Sequence, residues 1–161
     1  KNLDRQISVK YKATLSEMNH AFGGYFRLIF GGGKASLAEA KVSMADDEDE
    51  EGVEIKLDLP DKKIKSLNTL SGGERTLASI ALLFSLASIR KPPVMVLDEI
   101  DAALDEQNTQ KFVRLLKELS KQTQFIVITH NRETMRGADA LYGVSMKDGI
   151  SHLLSLKLQS A

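Results

Sequence analysis

Apolar side chains at the start of the chain fall at Leu3, Ile7, Tyr11, Leu15, Met18, Phe22, Phe26 and Ile29, in steps of three or four. That spacing lines one helix face and predicts a helix over residues 1–30. Gly23-Gly24 interrupts the run, at about 1 kcal/mol per glycine relative to alanine, so a kink or a close backbone approach is expected there. The leading part reads as the root of a coiled coil or as a plain amphipathic helix, and it is too short to display sustained heptads. For residues 15–29 one apolar stripe packed on a sheet is the simpler reading. Gly31-Gly32-Gly33 ends the helix, because three glycines continue one only at high entropic cost.

The pattern then changes period. Alternation through Ala35, Leu37 and Ala38 to Val42 predicts a strand, and Val53, Ile55, Leu57 and Leu59 alternate with Glu54, Lys56 and Asp58 as a half-buried one. Between them Asp46-Asp47-Glu48-Asp49-Glu50-Glu51 is a self-repelling acidic block, read as a solvated hairpin tip. Pro60-Asp61 breaks the second strand. Helical spacing returns from Gly72 to Ile89, with Leu77, Ile80, Ala81, Phe84 and Ala87 on one face, and Pro92-Pro93 stops it. Val94–Leu97 and Phe125–Ile128 are short all-apolar runs, as expected of strands buried on both faces of a parallel sheet. Residues 107–121 between them are helical, and a short helix follows from Arg132. Residues 140–146 and 151–158 read as a closing hairpin around Asp148-Gly149. Strand–helix–strand order after residue 90 implies a parallel α/β sheet, with antiparallel strands over 34–59. There is no internal repeat.

Composition narrows this little. A length of 161 residues supports one domain, 42% apolar and 27% charged content is ordinary for a globular protein, and 22 basic residues balance 22 acidic ones. Net charge therefore favours no polyanionic partner, although Lys62, Lys63 and Lys65 form a local basic cluster that is either a solvated loop or a DNA phosphate contact. Without cysteine there are no disulfides or cysteine–zinc sites. No apolar run approaches a membrane span and no signal peptide opens the chain, so a cytosolic location is expected. The first residue is Lys1 rather than Met, inside a helical pattern, as expected of an excerpt.

Candidate chemistry concentrates between residues 70 and 105. Asp98 and Glu99 end an apolar strand at the edge where open α/β sheets bind ligands. One such acid can hold Mg²⁺ while the other orients and deprotonates an attacking water. An Asp-Glu pair can also merely cap the next helix, but the apolar run in front and Asp101 behind favour hydrolysis. Ser71-Gly72-Gly73-Glu74 brings a hydroxyl and two permissive backbones to a helix N-terminus, which favours an anion. Alone it is equally an ordinary capped turn. His130 emerges from the second strand at the same edge, within reach of a phosphate or the attacking water, whereas His20 and His152 lack this placement and read as structural. Gly33-Lys34-Ala35-Ser36 imitates a phosphate loop, but it follows a helix and precedes a strand, the reverse of what that loop needs.

The order LSGGE (70–74), VMVLDE (94–99), IDAALD (100–105) and ITHN (128–131) resembles the C-terminal head lobe of SMC (structural maintenance of chromosomes) ATPases, most of all prokaryotic ones. FGGGKASL (30–37), GVEI (52–55), the rest of the helix to residue 86 and ADALYGVSM (138–146) extend the likeness over nearly the whole chain. ABC-type repair ATPases match the flanking segments less well, and ABC transporter domains carry their own Walker A just upstream. The resemblance implies an α/β, P-loop-NTPase-like lobe over residues 31–161, with residues 1–30 forming a coiled-coil stump and first head helix. It implies ATP and Mg²⁺ as cofactors, Asp98 on the metal, Glu99 as general base and His130 as switch histidine. Ser71, Gly72 and Gly73 would contact the γ-phosphate held by the opposite head, with Glu74, Asp101 and Asp105 in the same nucleotide-binding set and Ala102–Asp105 as the D-loop. The implied partners are an N-terminal Walker A lobe, a second head, a kleisin subunit docking on residues 139–161, and DNA, all at the nucleoid. This chain alone would then be inactive.

Overall fold

The computed structural model describes residues 2–43, 49–60 and 70–157. The predicted first helix is α1 (Asn2–Phe30), and its stripe is buried only in the second half. Phe22, Phe26 and Ile29 are at most 2% exposed, while Leu3 and Ile7 are 68% and 59% exposed. Asn19 fixes where the helix lies: its side-chain amide brackets the backbone of Leu37, donating to the carbonyl at 2.9 Å and accepting from the N–H at 2.6 Å. It thereby does for a strand edge what a neighbouring strand would do. Gly23 supplies the expected close approach, since a Cβ there would lie 3.4 Å from the Ala35 carbonyl.

All three glycines after α1 have positive φ. Gly33 could be nothing else: φ is +80° and a Cβ would fall 2.3 Å from the Asp58 carbonyl. The turn feeds β1 (Lys34–Ser43), which pairs antiparallel with β2 (Asp49–Asp58) from Lys34 opposite Asp58 to Ser43 opposite Asp49. Ala35, Leu37 and Leu57 face the core. The acidic block, expected as a hairpin tip over residues 46–51, enters β2 at Asp49, while Asp46, Asp47 and Glu48 and the cluster Lys62, Lys63 and Lys65 lie outside the described residues.

Helix α2 (Gly72–Arg90) buries Leu77, Ala78, Ile80, Ala81 and Phe84 and ends at Lys91 in the left-handed region, before the two prolines. Next come β3 (Val94–Asp98), α3 (Glu106–Leu119) and β4 (Gln124–Ile128), a strand–helix–strand unit whose two strands are parallel and in register from Val94 opposite Gln124. Helix α4 (Arg132–Arg136) leads to the hairpin of β5 (Ala140–Lys147) and β6 (Ile150–Lys157), turning at Asp148 and Gly149, both at positive φ. One core joins α1, the first hairpin, α2, α3 and the inner face of β3–β4, with Phe84 edge-on to Phe125 at 5.7 Å.

The parallel pair departs from expectation on one point. Both strands were expected to be buried on both faces, yet Val94, Val96, Ile126 and Ile128 are 45–60% exposed, while Leu97, Phe125 and Val127 turn inward. Three two-stranded sheets make up the described strands, so helices cover the parallel pair on one side only. An all-apolar sequence reports what both faces prefer, not what covers them in this chain.

Candidate active site

The carboxyl edge of β3–β4 gathers the acidic and histidine candidates. Parallel register sets Asp98 beside Ile128, and the ladder continues one step further through Glu99 N–H to the Ile128 carbonyl at 2.9 Å. Glu99 is left-handed (φ +47°), a backbone state that costs a non-glycine residue about 1–2 kcal/mol. This reversal directly after the strand carries the Glu99 side chain to the residue leaving β4: Glu99 Oε1 lies 3.2 Å from His130 Nε2. Both groups are open to solvent, His130 at 90% and Glu99 at 53% of their side-chain surface, so the contact orients rather than stabilises. Strain at this position fits a residue held for function.

Asp98 is exposed at the strand end. Mg²⁺ takes oxygen ligands, keeps several waters, and in phosphate sites uses one or two protein carboxylates alongside the substrate. A single accessible carboxylate suits that pattern. No cluster of three His, Cys, Asp or Glu able to enclose an ion exists among the described residues.

Asp101 is placed differently. Expected among the nucleotide contacts, it is 1% exposed, and its Oδ2 accepts hydrogen bonds from the hydroxyls of Thr129, at 2.7 Å, and Thr134. Its carboxylate is committed to the protein interior and ties the loop after β3 to the segment after β4. Asn131 completes the junction: its N–H donates to Thr129 Oγ1 at 2.9 Å, its side-chain amide donates to buried Thr109 at 3.0 Å, and its Oδ1 caps α4. His130 therefore sits between two anchored residues.

At the other end, Ser71 caps α2 in a reciprocal box with Glu74: Ser71 Oγ accepts from Glu74 N–H at 3.3 Å and Ser71 N–H donates to Glu74 Oε2 at 2.9 Å. Among the described residues, nothing lies within 4 Å of where a Cβ on Gly72 would stand. Asp105 caps α3, its Oδ1 accepting from Asn108 N–H at 2.8 Å. Asp98, Glu99 and His130 thus share one sheet edge, Ser71–Glu74 form a separate helix end, and Asp101 and Asp105 organise the loop between.

Thr109, Thr129, Asn131 and Thr134 were absent from the expected set. Asn131 carried a local signal, an N-cap residue before Arg132-Glu133. Thr129 and Thr134 carried none, because their partner Asp101 lies far along the chain.

Residues 34–152 match the family described as RecF/RecN/SMC N terminal domain. Similar curated proteins include the Chromosome partition protein Smc of Bacillus subtilis, 46% identical over 158 residues, and that of Myxococcus xanthus, 42% identical over 160. These cover 98% and 99% of this chain but only 13% of each relative, so the chain spans a small part of their length. Among solved structures, the SMC head domain from Thermotoga maritima is 40% identical with a TM-score of 0.73, over 88% of this chain and 48% of that one. An SMC structure described in terms of ATP-driven dimerization and DNA stimulated activation of SMC ATPases is 33% identical with a TM-score of 0.79, over 91% and 88% of the two chains. An Smc head bound to the C-winged helix domain of ScpA is 36% identical with a TM-score of 0.76, over 92% of this chain and 45% of that one. With the match spanning most of its residues and its fold shared with SMC heads, the chain belongs to the RecF/RecN/SMC family and is of the SMC head type.

Proposed function

We propose that this chain is the C-terminal lobe of an SMC ATPase head and hydrolyses ATP at a head–head interface to drive chromosome organisation and partition. The observation that carries the reading is Glu99, held left-handed at the end of β3 against His130. Glu99 takes the proton of the water attacking the γ-phosphate, and His130, 3.2 Å away, orients the carboxylate and the water. Asp98 would hold Mg²⁺, which would supply charge neutralisation at the phosphate oxygens. Ser71, with its Oγ already accepting from Glu74 N–H, has its own O–H to donate outward. Gly72, which no described residue crowds, lets a phosphate held by the opposite head approach the positive end of α2. Asp101 and Asp105 serve the same site by holding the intervening loop.

The reading requires a Walker A lobe from elsewhere in the protein. None of the described residues forms such a loop, and Gly33-Lys34 lies between a helix and a strand. The relatives' names support partition as the process, and support it over the equivalent lobe of a DNA-repair ATPase. They also support a cytoplasmic, nucleoid-associated setting. Among the described residues, no helix is long and apolar enough to cross a membrane. DNA is a proposed partner of the whole protein. The purified 161-residue chain is expected to show no ATP turnover, and turnover is expected to appear when the N-terminal lobe is added. A phosphate-release assay on each preparation measures this, and robust turnover by the chain alone would overturn the two-lobe reading.

A second role uses another face. Tyr142, Val144, Met146, Leu153 and Leu154 on the β5–β6 hairpin are 61–76% exposed, a concentration of apolar surface that marks an interaction site. A related head is bound to the C-winged helix domain of ScpA, so we assign this hairpin to a kleisin subunit. Val144 and Leu153 are cross-strand partners. Changing both to Glu is expected to abolish pull-down of the kleisin C-terminal domain while moving the melting temperature by no more than about 2 °C. Retained pull-down would refute the assignment.

A further inference from the structure

Gly72 and Gly73 begin the same helical turn, yet their surroundings differ. Neither has positive φ, so backbone conformation demands glycine at neither position. A Cβ on Gly72 meets nothing within 4 Å among the described residues, whereas one on Gly73 falls 2.6 Å from Nδ2 of Asn108, closer than real Cβ atoms come.

Asn108 is not a side-chain end that can swing aside. It is 8% exposed, and Nδ2 donates to Asp105 Oδ2 at 3.1 Å while its backbone N–H donates to Asp105 Oδ1 at 2.8 Å. On the other side its Oδ1 accepts from Lys111 Nζ at 3.3 Å, and that ammonium stands 5.8 Å from the centroid of the Phe30 ring. A carboxylate beside the amide nitrogen and an ammonium beside the oxygen dictate the amide's orientation. Making room for a methyl at position 73 means breaking the bond to Asp105 or displacing the head of α2.

We propose that Asn108 is a positioning residue for the Ser71–Gly73 turn. Gly73 is glycine so that the first turn of α2 can seat on the Asn108 amide, and the Asp105–Asn108 unit thereby sets where the Ser71–Gly73 edge stands relative to the loop that begins at Asp101. Its bearing on activity rests on the ATPase reading above; the packing between Gly73 and Asn108 does not. A methyl at 73 thus acts from inside the protein, through Asn108, rather than by blocking a phosphate.

The test compares Gly73→Ala, Asn108→Ala and the double variant in the full-length protein. Gly73→Ala is expected to lower kcat on the order of tenfold or more by misplacing the edge, with KM for ATP little changed. Its melting temperature is expected to fall by roughly 2–4 °C. In the double variant, which lacks both Nδ2 and Cγ, kcat and melting temperature should return to those of Asn108→Ala. If Gly73→Ala folds too poorly to assay, recovery of folded protein in the double variant reads the same contact. A kcat for Asn108→Ala equal to that of the wild type, or a double variant with recovered melting but kcat still well below that of Asn108→Ala, would overturn the positioning role and leave the methyl as an obstacle to the phosphate. An unchanged melting temperature in Gly73→Ala would overturn the packing itself. A wild-type protein without ATP-dependent turnover would instead fail the ATPase reading, with the melting comparison still deciding the contact.

Discussion

Replacing Glu99 with glutamine in the full-length protein is expected to cut ATP turnover by about two to four orders of magnitude, the usual contribution of a positioned general base. Glutamine matches glutamate in size and keeps the Oε1 that faces His130 at 3.2 Å, so the shape of the edge is retained. The backbone strain at φ +47° is the same for both residues, and the half-exposed site makes no demand on core packing. What disappears is a group that can take a proton. On the proposed mechanism ATP still joins two heads but is not consumed, so the ATP-bound dimer should accumulate. Turnover by phosphate release and dimer content by size-exclusion chromatography with ATP measure the two effects. Near wild-type turnover, or a monomer fraction unmoved by ATP, would remove Glu99 from the role of base.

The second large effect is expected from Ser71→Arg. The side chain is exposed, so arginine meets no core atoms. The local cost is the capping bond from Glu74 N–H, about 1 kcal/mol, with a small further penalty for a cation at the positive end of α2. The protein should therefore remain folded. At a head–head interface the same change sets a long cation where a hydroxyl is proposed to meet a phosphate. ATP-dependent dimerisation should be lost and turnover should fall by about two orders of magnitude, the scale set by misplaced reacting groups. Binding of ATP to the unengaged head should persist, since the proposed contact is made to the neighbour's nucleotide. Loss of binding itself, measured by titration calorimetry, would contradict that assignment.

Both expectations rest on features that differ in how far the sequence exposed them. The end of α1 at Gly31–Gly33, the box between Ser71 and Glu74, the stop at Lys91 before two prolines and the turn at Asp148-Gly149 depend on residues within a few positions of one another. Parallel pairing of β3 with β4 followed from element order and brings Glu99 and His130 to one edge, where the left-handed backbone of Glu99 completes their contact. Other features were out of reach. Asp101 looked like another acid at a nucleotide edge, but it is taken up by Thr129 and Thr134, 28 and 33 residues away, whose hydroxyls have no local signature. Gly73 read as permissive backbone for a phosphate, while the side chain that requires it belongs to a different helix.

Local chemistry in the sequence therefore determined the α/β class, the order and approximate limits of the elements, and the residue types suited to phosphate, metal and base. Hydrogen-bonding and steric preferences between near neighbours are enough for that. Only the tertiary structure decided which acids face solvent and which are committed internally, which face of β3–β4 is covered, and which glycine answers to a neighbouring side chain. Burial and contact depend on distant segments meeting, and a carboxylate's role is decided by what it meets.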